Sequence, residues 1–166
     1  MDLHTAPLQS FDPPDPGSVD IVFSLGSGAA SAFLTTFLMG AILVALVPSY
    51  TERRIDEIRE NVVGAFVYGV ISLVALLLLS LLLFITIIGV PVAVALLVLA
   101  IVLWAIGAAI AFLAIADSLV GHEDGWLVAL VVAAGINGGL AITGIGGLVS
   151  FFVGAAGFGT VLRDLL

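Results

Sequence analysis

The chain has 166 residues, 62% of them hydrophobic and only 10% charged, and its mean hydropathy of +1.35 is that of a polytopic membrane protein. Twelve carboxylates face four arginines, with no lysine and no cysteine. The lack of cysteine excludes disulfides, thiolate metal sites and thiol catalysis. Backbone polar groups in lipid must be satisfied internally, and no period-2 alternation suggests barrel strands, so the expected fold is all-α. An acidic chain without lysine also suggests a salt-loving source, since charge repulsion is screened to about 3 Å at 1 M salt.

Residues 1–20 hold four Asp and four of the six prolines. So acidic and Pro-rich a segment buries too little surface to fold alone, and it lacks the basic region of a signal peptide. Ile21, Val22, Phe23 and Leu25 follow as a small apolar patch suited to the membrane interface. The expected organisation is therefore a disordered tail and interfacial segment over 1–26, then a single helical membrane domain over 27–166.

The first span is expected over about 27–47, closed by Pro48. The only strongly charged segment comes next, SYTERRIDEIREN at 49–61. Ser49 and Glu52 have the spacing of a capping box. Tyr50, Ile55, Ile58 and Val62 recur at helical spacing, so the segment reads as an amphipathic helix lying on the membrane. Arg53–Glu57 and Asp56–Arg59 are spaced to pair along its other side, for about 0.2–0.5 kcal/mol each. Arg53, Arg54 and Arg59 are the candidate cytoplasmic contacts. Four acids outnumber these three arginines, which argues against nucleic acid as a partner.

Residues 62–116 contain no Asp, Glu, Lys or Arg. That stretch of 55 residues allows two crossings, since about 20 apolar residues span the hydrocarbon core. A second span is expected over 61–88 and a third over 91–116, joined through Gly89-Val90-Pro91. The loop DSLVGHEDG (117–125) leads to Trp126, placed like an aromatic-belt residue.

A second uncharged run covers 126–162, broken by glycines at 143–147. Its arms of 18 and 16 residues are short; the second reaches about 24 Å against a core of ~30 Å. Two crossings are preferred, making five spans in all; the alternative is three full spans plus a re-entrant hairpin. TIIGVPV (86–92) and TGIGGLV (143–149) share Thr, Gly and Val in register, a weak internal repeat.

Within this hairpin, Asn137 sits among Gly135, Gly138 and Gly139. An amide there serves either as an interhelical hydrogen bond or as part of a broken helix exposed to a solute. Gly135/Gly139 and Ala155/Gly159 have small-xxx-small spacing, as do Gly107/Ala111 and Ala41/Ala45, and are candidates for packing within the chain or between copies. His122-Glu123-Asp124 lacks the converging geometry of a metal site, and His4 lies in the tail. Thr35, Thr36, Ser72, Ser80, Thr86 and Ser150 have no nearby His or Lys base, so a serine nucleophile is unsupported and no cofactor is expected. No ionisable residue falls inside an expected span, which disfavours proton relays and ion-coupled pumps.

FLMGAILVALVP (37–48), the Arg-containing segment after it, ITIIGVP (85–91) and GGLV (146–149) resemble the helical membrane domain of archaeal and bacterial polymer-forming cytoskeletal, or bactofilin-like, proteins. The resemblance covers most of 30–165. It implies a membrane module that anchors or assembles with a bactofilin-like polymer, and brings no catalytic residues. The first 26 residues leave no room for the β-helix of those proteins, so polymer formation is not implied.

The expected function is a non-enzymatic membrane scaffold, anchor or small complex subunit in contact with lipid, as a homo-oligomer or with another membrane protein. The alternative is a passive channel or solute facilitator built on 126–162. All four arginines fall on one side if the chain is multi-pass with its N-terminus outside and its C-terminus cytoplasmic.

Overall fold

The computed structural model describes residues 16–123 and 125–163, with side chains from residue 24 onward. These residues form six helices and no strand: α1 (Pro16–Leu46), α2 (Pro48–Glu60), α3 (Val62–Phe84), α4 (Gly89–Val120), α5 (Trp126–Ile142) and α6 (Gly146–Arg163). Four of them, α1, α3, α4 and α6, are long and apolar enough to cross a bilayer. The fifth apolar helix, α5, has 17 residues. The charged α2 sits between the first two apolar helices.

Within the described residues helix α1 runs from Pro16 to Leu46, so residues 21–25 are helical and continuous with the first expected span. The rest of the expected tail, residues 1–15, lies outside the described residues. Pro48 ends α1 as expected, because its ring cannot continue the ladder. It also opens α2, which overturns the capping box. Val47 occupies the N-cap position without a side-chain bond, and Ser49 falls inside the first turn. Thr51 Oγ1 instead donates to Val47 O at 3.1 Å.

Asn61 separates α2 from α3 with an extended backbone (φ −146°, ψ 66°). Its Oδ1 accepts from Gly64 N at 2.8 Å, satisfying one of the donors left open at a helix start. The α3–α4 and α5–α6 turns are built alike. Thr86 Oγ1 donates to Leu83 O at 3.1 Å and Thr143 Oγ1 to Leu140 O at 2.8 Å. Gly89 N donates to Thr86 O, and Gly146 N to Thr143 O, both at 3.0 Å. A Cβ on Gly89 would stand 2.1 Å from Leu83 O, and one on Gly146 would stand 1.4 Å from Leu140 O. Glycine is required at both places, and the shared Leu-x-x-Thr-x-x-Gly pattern extends the sequence repeat by its leucine.

Helix α6 is the wedge of the bundle. Residues from Gly154 to Val161 are all buried between α3 and α4. Three glycines let backbones touch: a Cβ would meet Gly107 O at 1.8 Å from Gly157, Ala65 O at 2.0 Å from Gly159, and Ala155 O at 1.9 Å from Gly69. Such close approach gains dispersion contacts where lipid offers no hydrophobic driving force. Helix α5 packs chiefly on α1, and Gly138 faces Phe33 there. Leu77, Leu78, Leu81 and Leu82 of α3 are exposed, as lipid-facing residues would be.

Candidate functional site

Among the described side chains, the charged groups gather at one end of the bundle. Helix α4, with 32 residues against 23 in α3, runs past Asn61 and offers a wall on which α2 docks. Ile55 and Ile58 are buried there in one cluster with Ile110, Phe112, Leu113 and Val161. The bundle thus takes up the apolar face of α2 that amphipathicity assigned to lipid. Val62, expected on that face, is exposed, because the break at Asn61 turns it away.

The three arginines of α2 have separate roles. Arg54 is buried, pairs with Glu57 and lies 5.1 Å from the Tyr50 ring centroid. Its guanidinium is thus held in the packed interior, at 4% exposure. Arg53 is exposed and lies 5.9 Å from the same ring. Arg59 reaches across to α4, with Nη2 2.7 Å from Asp117 Oδ2 and 3.4 Å from Ala114 O. Arg163, at the end of α6, comes within 3.8 Å of Glu57.

Asp117 is the hub of this end. Its side chain is only 3% exposed, and a buried carboxylate requires partners. It also sits in the last turn of α4, where the helix dipole disfavours negative charge. Arg59 answers on one oxygen, and His122 Nδ1 lies 2.5 Å from the other. The His122 ring stacks on Trp126 at 4.1 Å and 11°. Between α2 and this cluster lies a cleft of about 130 Å³ lined by Glu52, Ile55, Asp56, Asp117, His122 and Trp126. Ser118, the neighbouring hydroxyl, donates to Ile115 O at 2.6 Å. Among the described residues no three His, Asp or Glu side chains converge as metal ligands.

The other candidate residues divide cleanly. Asn137 Nδ2 donates to Thr36 Oγ1 at 2.7 Å and to Ala32 O at 3.4 Å, while its Oδ1 accepts from Ser150 Oγ at 2.9 Å. It therefore knits α5 to α1 and α6. Ala155 and Gly159 pack against α3 within the chain. Gly135 and Gly139 do not: both are exposed, with nothing within 4 Å of a built Cβ. Thr86 bonds back to the carbonyl of Leu83, whereas Ser150 and Thr36 serve Asn137.

Sequence reasoning passed over Asp117, although it is the first charge after 55 uncharged residues. It also considered His122 only with its acidic neighbours, not with a carboxylate five residues back. Comparison with curated proteins and with solved structures finds no match. The chain belongs to the family described as a domain of unknown function, DUF8173, whose model matches residues 8–166.

Proposed function

We propose that the protein is a non-enzymatic membrane scaffold, an anchor or small complex subunit that works through helix–helix contacts. The observation that carries this reading is the use made of Asn137. Its donors and acceptor are spent on Thr36, Ala32 and Ser150, so it acts as a clamp between three helices. A channel through 126–162 would need that amide turned toward a watery path. Reconstitution tests the choice: proteoliposomes should show no solute or ion leak above that of lipid alone, and a leak abolished by Asn137→Leu would reverse the ranking.

Lipid and other membrane helices are the partners in this reading. The open Gly135/Gly139 face of α5 permits a second copy to approach closely. Gly139→Leu adds a side chain in open space, so it should leave the protomer folded and lower the particle mass in mild detergent, measured by light scattering. An unchanged mass removes this face from the assembly. The bactofilin-like polymer suggested by sequence resemblance is the outside partner to seek by native pull-down.

The charged end is placed in the cytoplasm and the N-terminus outside, because Arg53, Arg54, Arg59 and Arg163 then all lie inside. With α1, α3 and α4 crossing, this orientation holds whether or not α5 and α6 also cross. Cysteines at Ser10 and Ser118, probed on intact cells with an impermeant maleimide, should label at Ser10 alone.

A further inference from the structure

The two hairpins reach to different depths. A Cβ on Gly159 would touch Ala65 O, so those two positions share a level. Ala65 is four residues past Asn61, and Gly159 is four residues before Arg163. At the charged end, then, the start of α3 and the end of α6 lie at one level. At the other end the two helices are not level. Gly107 and Gly157 are in contact; the first lies 18 residues past Gly89, the second 11 past Gly146. Seven residues are missing from the α6 side, or about 10 Å at 1.5 Å per residue. Contact between Gly69 and Ala155 gives the same answer through α3: 15 residues to Phe84 against 9 to Gly146, a deficit of about 9 Å.

Sliding cannot share this deficit between the two ends, because Arg163 is charged and stands beside Glu57 in the polar layer. The chemistry of the turn is compatible with hydrocarbon. Ile145 and Leu148 at the tip are 69% and 62% exposed, and the only side-chain hydroxyl in the turn, on Thr143, is bonded to Leu140 O. The amides of Gly146, Leu148 and Val149 are bonded within the turn and the helix start. Below the tip, the polar groups of Asn137, Thr36 and Ser150 satisfy one another. The α3–α4 turn has the same build, with Ile85, Ile87 and Ile88 78%, 93% and 86% exposed and Thr86 bonded to Leu83 O. Turn chemistry therefore suits hydrocarbon in both hairpins, and the difference in helix length decides between them.

From these observations we infer that α5–α6 is a re-entrant hairpin whose turn ends among the acyl chains of the far leaflet, never reaching the far aqueous face. The α3–α4 turn, carried by a 23-residue helix about 34 Å long, does reach that face. This goes against the first expectation of five full crossings. It rests on the membrane reading above but not on the orientation chosen there.

The cysteine-free chain allows a direct test in sealed proteoliposomes of the full-length protein. Single cysteines at Ile145 and Ile87, both exposed tip positions, and at Ser118 are offered an impermeant maleimide from each side in turn. Ile87→Cys should label from one side and Ser118→Cys from the other. Ile145→Cys should label from neither side and become reactive in detergent. A bimane introduced at that cysteine with a permeant reagent should be quenched more strongly by a mid-chain nitroxide lipid than by a headgroup nitroxide. Labelling of Ile145→Cys from the side that labels Ile87→Cys, or stronger quenching from the headgroup, would overturn the inference. In intact cells, exchange of the Ile87 and Ser118 sides with Ile145 still silent would overturn the orientation alone.

Discussion

The hairpins α3–α4 and α5–α6 close with the same turn yet do opposite work. In the first, the Leu83-Thr86-Gly89 turn joins two long helices, and only 11% of the most apolar window of α3 is buried. In the second, the Leu140-Thr143-Gly146 turn joins helices of 17 and 18 residues, and half of α6 is buried. The turn is a local device, satisfied by its own threonine and glycine. What distinguishes the hairpins is side-chain size along the helices that the turn joins. Leucines on α3 hold neighbours away and face lipid, whereas Gly154, Gly157 and Gly159 let α6 sink between its neighbours.

The largest effect should come from blocking that sinking. A side chain at Gly157 would run into the Gly107 carbonyl, so Gly157→Leu should destabilise by about 3 kcal/mol or more. Leu78→Ala, a comparable change on the lipid face of α3, should stay within about 0.5 kcal/mol. Thermal or denaturant unfolding in detergent measures both, and similar losses would erase the division of labour between the hairpins.

The junction between hairpins comes next. Arg59 and His122 together hold Asp117, where α4 hands over to α5. Arg59→Gln should cost about 2 kcal/mol, between the ~1 kcal/mol of an exposed pair and the ~3–5 kcal/mol of breaking a buried one, because Asp117 is buried while Arg59 is partly exposed. Adding Asp117→Asn should recover part of that loss by removing the stranded charge. If the double variant loses as much as the sum of the single ones, the two groups are not coupled.

Among the packed positions, the smallest loss is expected at Asn137. Asn137→Leu removes the clamp among α1, α5 and α6 and should cost about 0.6–2 kcal/mol in unfolding. A larger loss would mean that the short hairpin depends on polar contacts more than on its glycines.

The apolar helices could be read from local chemistry, their ends only in part. Residues 62–116 read as two apolar helices because charge is absent over a length no soluble helix pair needs. Pro48 stops α1 through its own backbone limits, whereas Gly89 and Val90, expected as a turn before Pro91, already belong to α4. The interhelical role of Asn137 was one of two readings open from its setting. Partnerships were another matter. Gly135 and Gly157 look alike in sequence, yet one faces open space and the other touches Gly107, because rotation about the helix axis decides and no local signal encodes it. The docking of α2 likewise depended on how far α4 overruns α3. Asp117 became a buried hub only once Arg59, 58 residues earlier in the chain, was folded against it, since the cost of burying a carboxylate shows only where its partners converge.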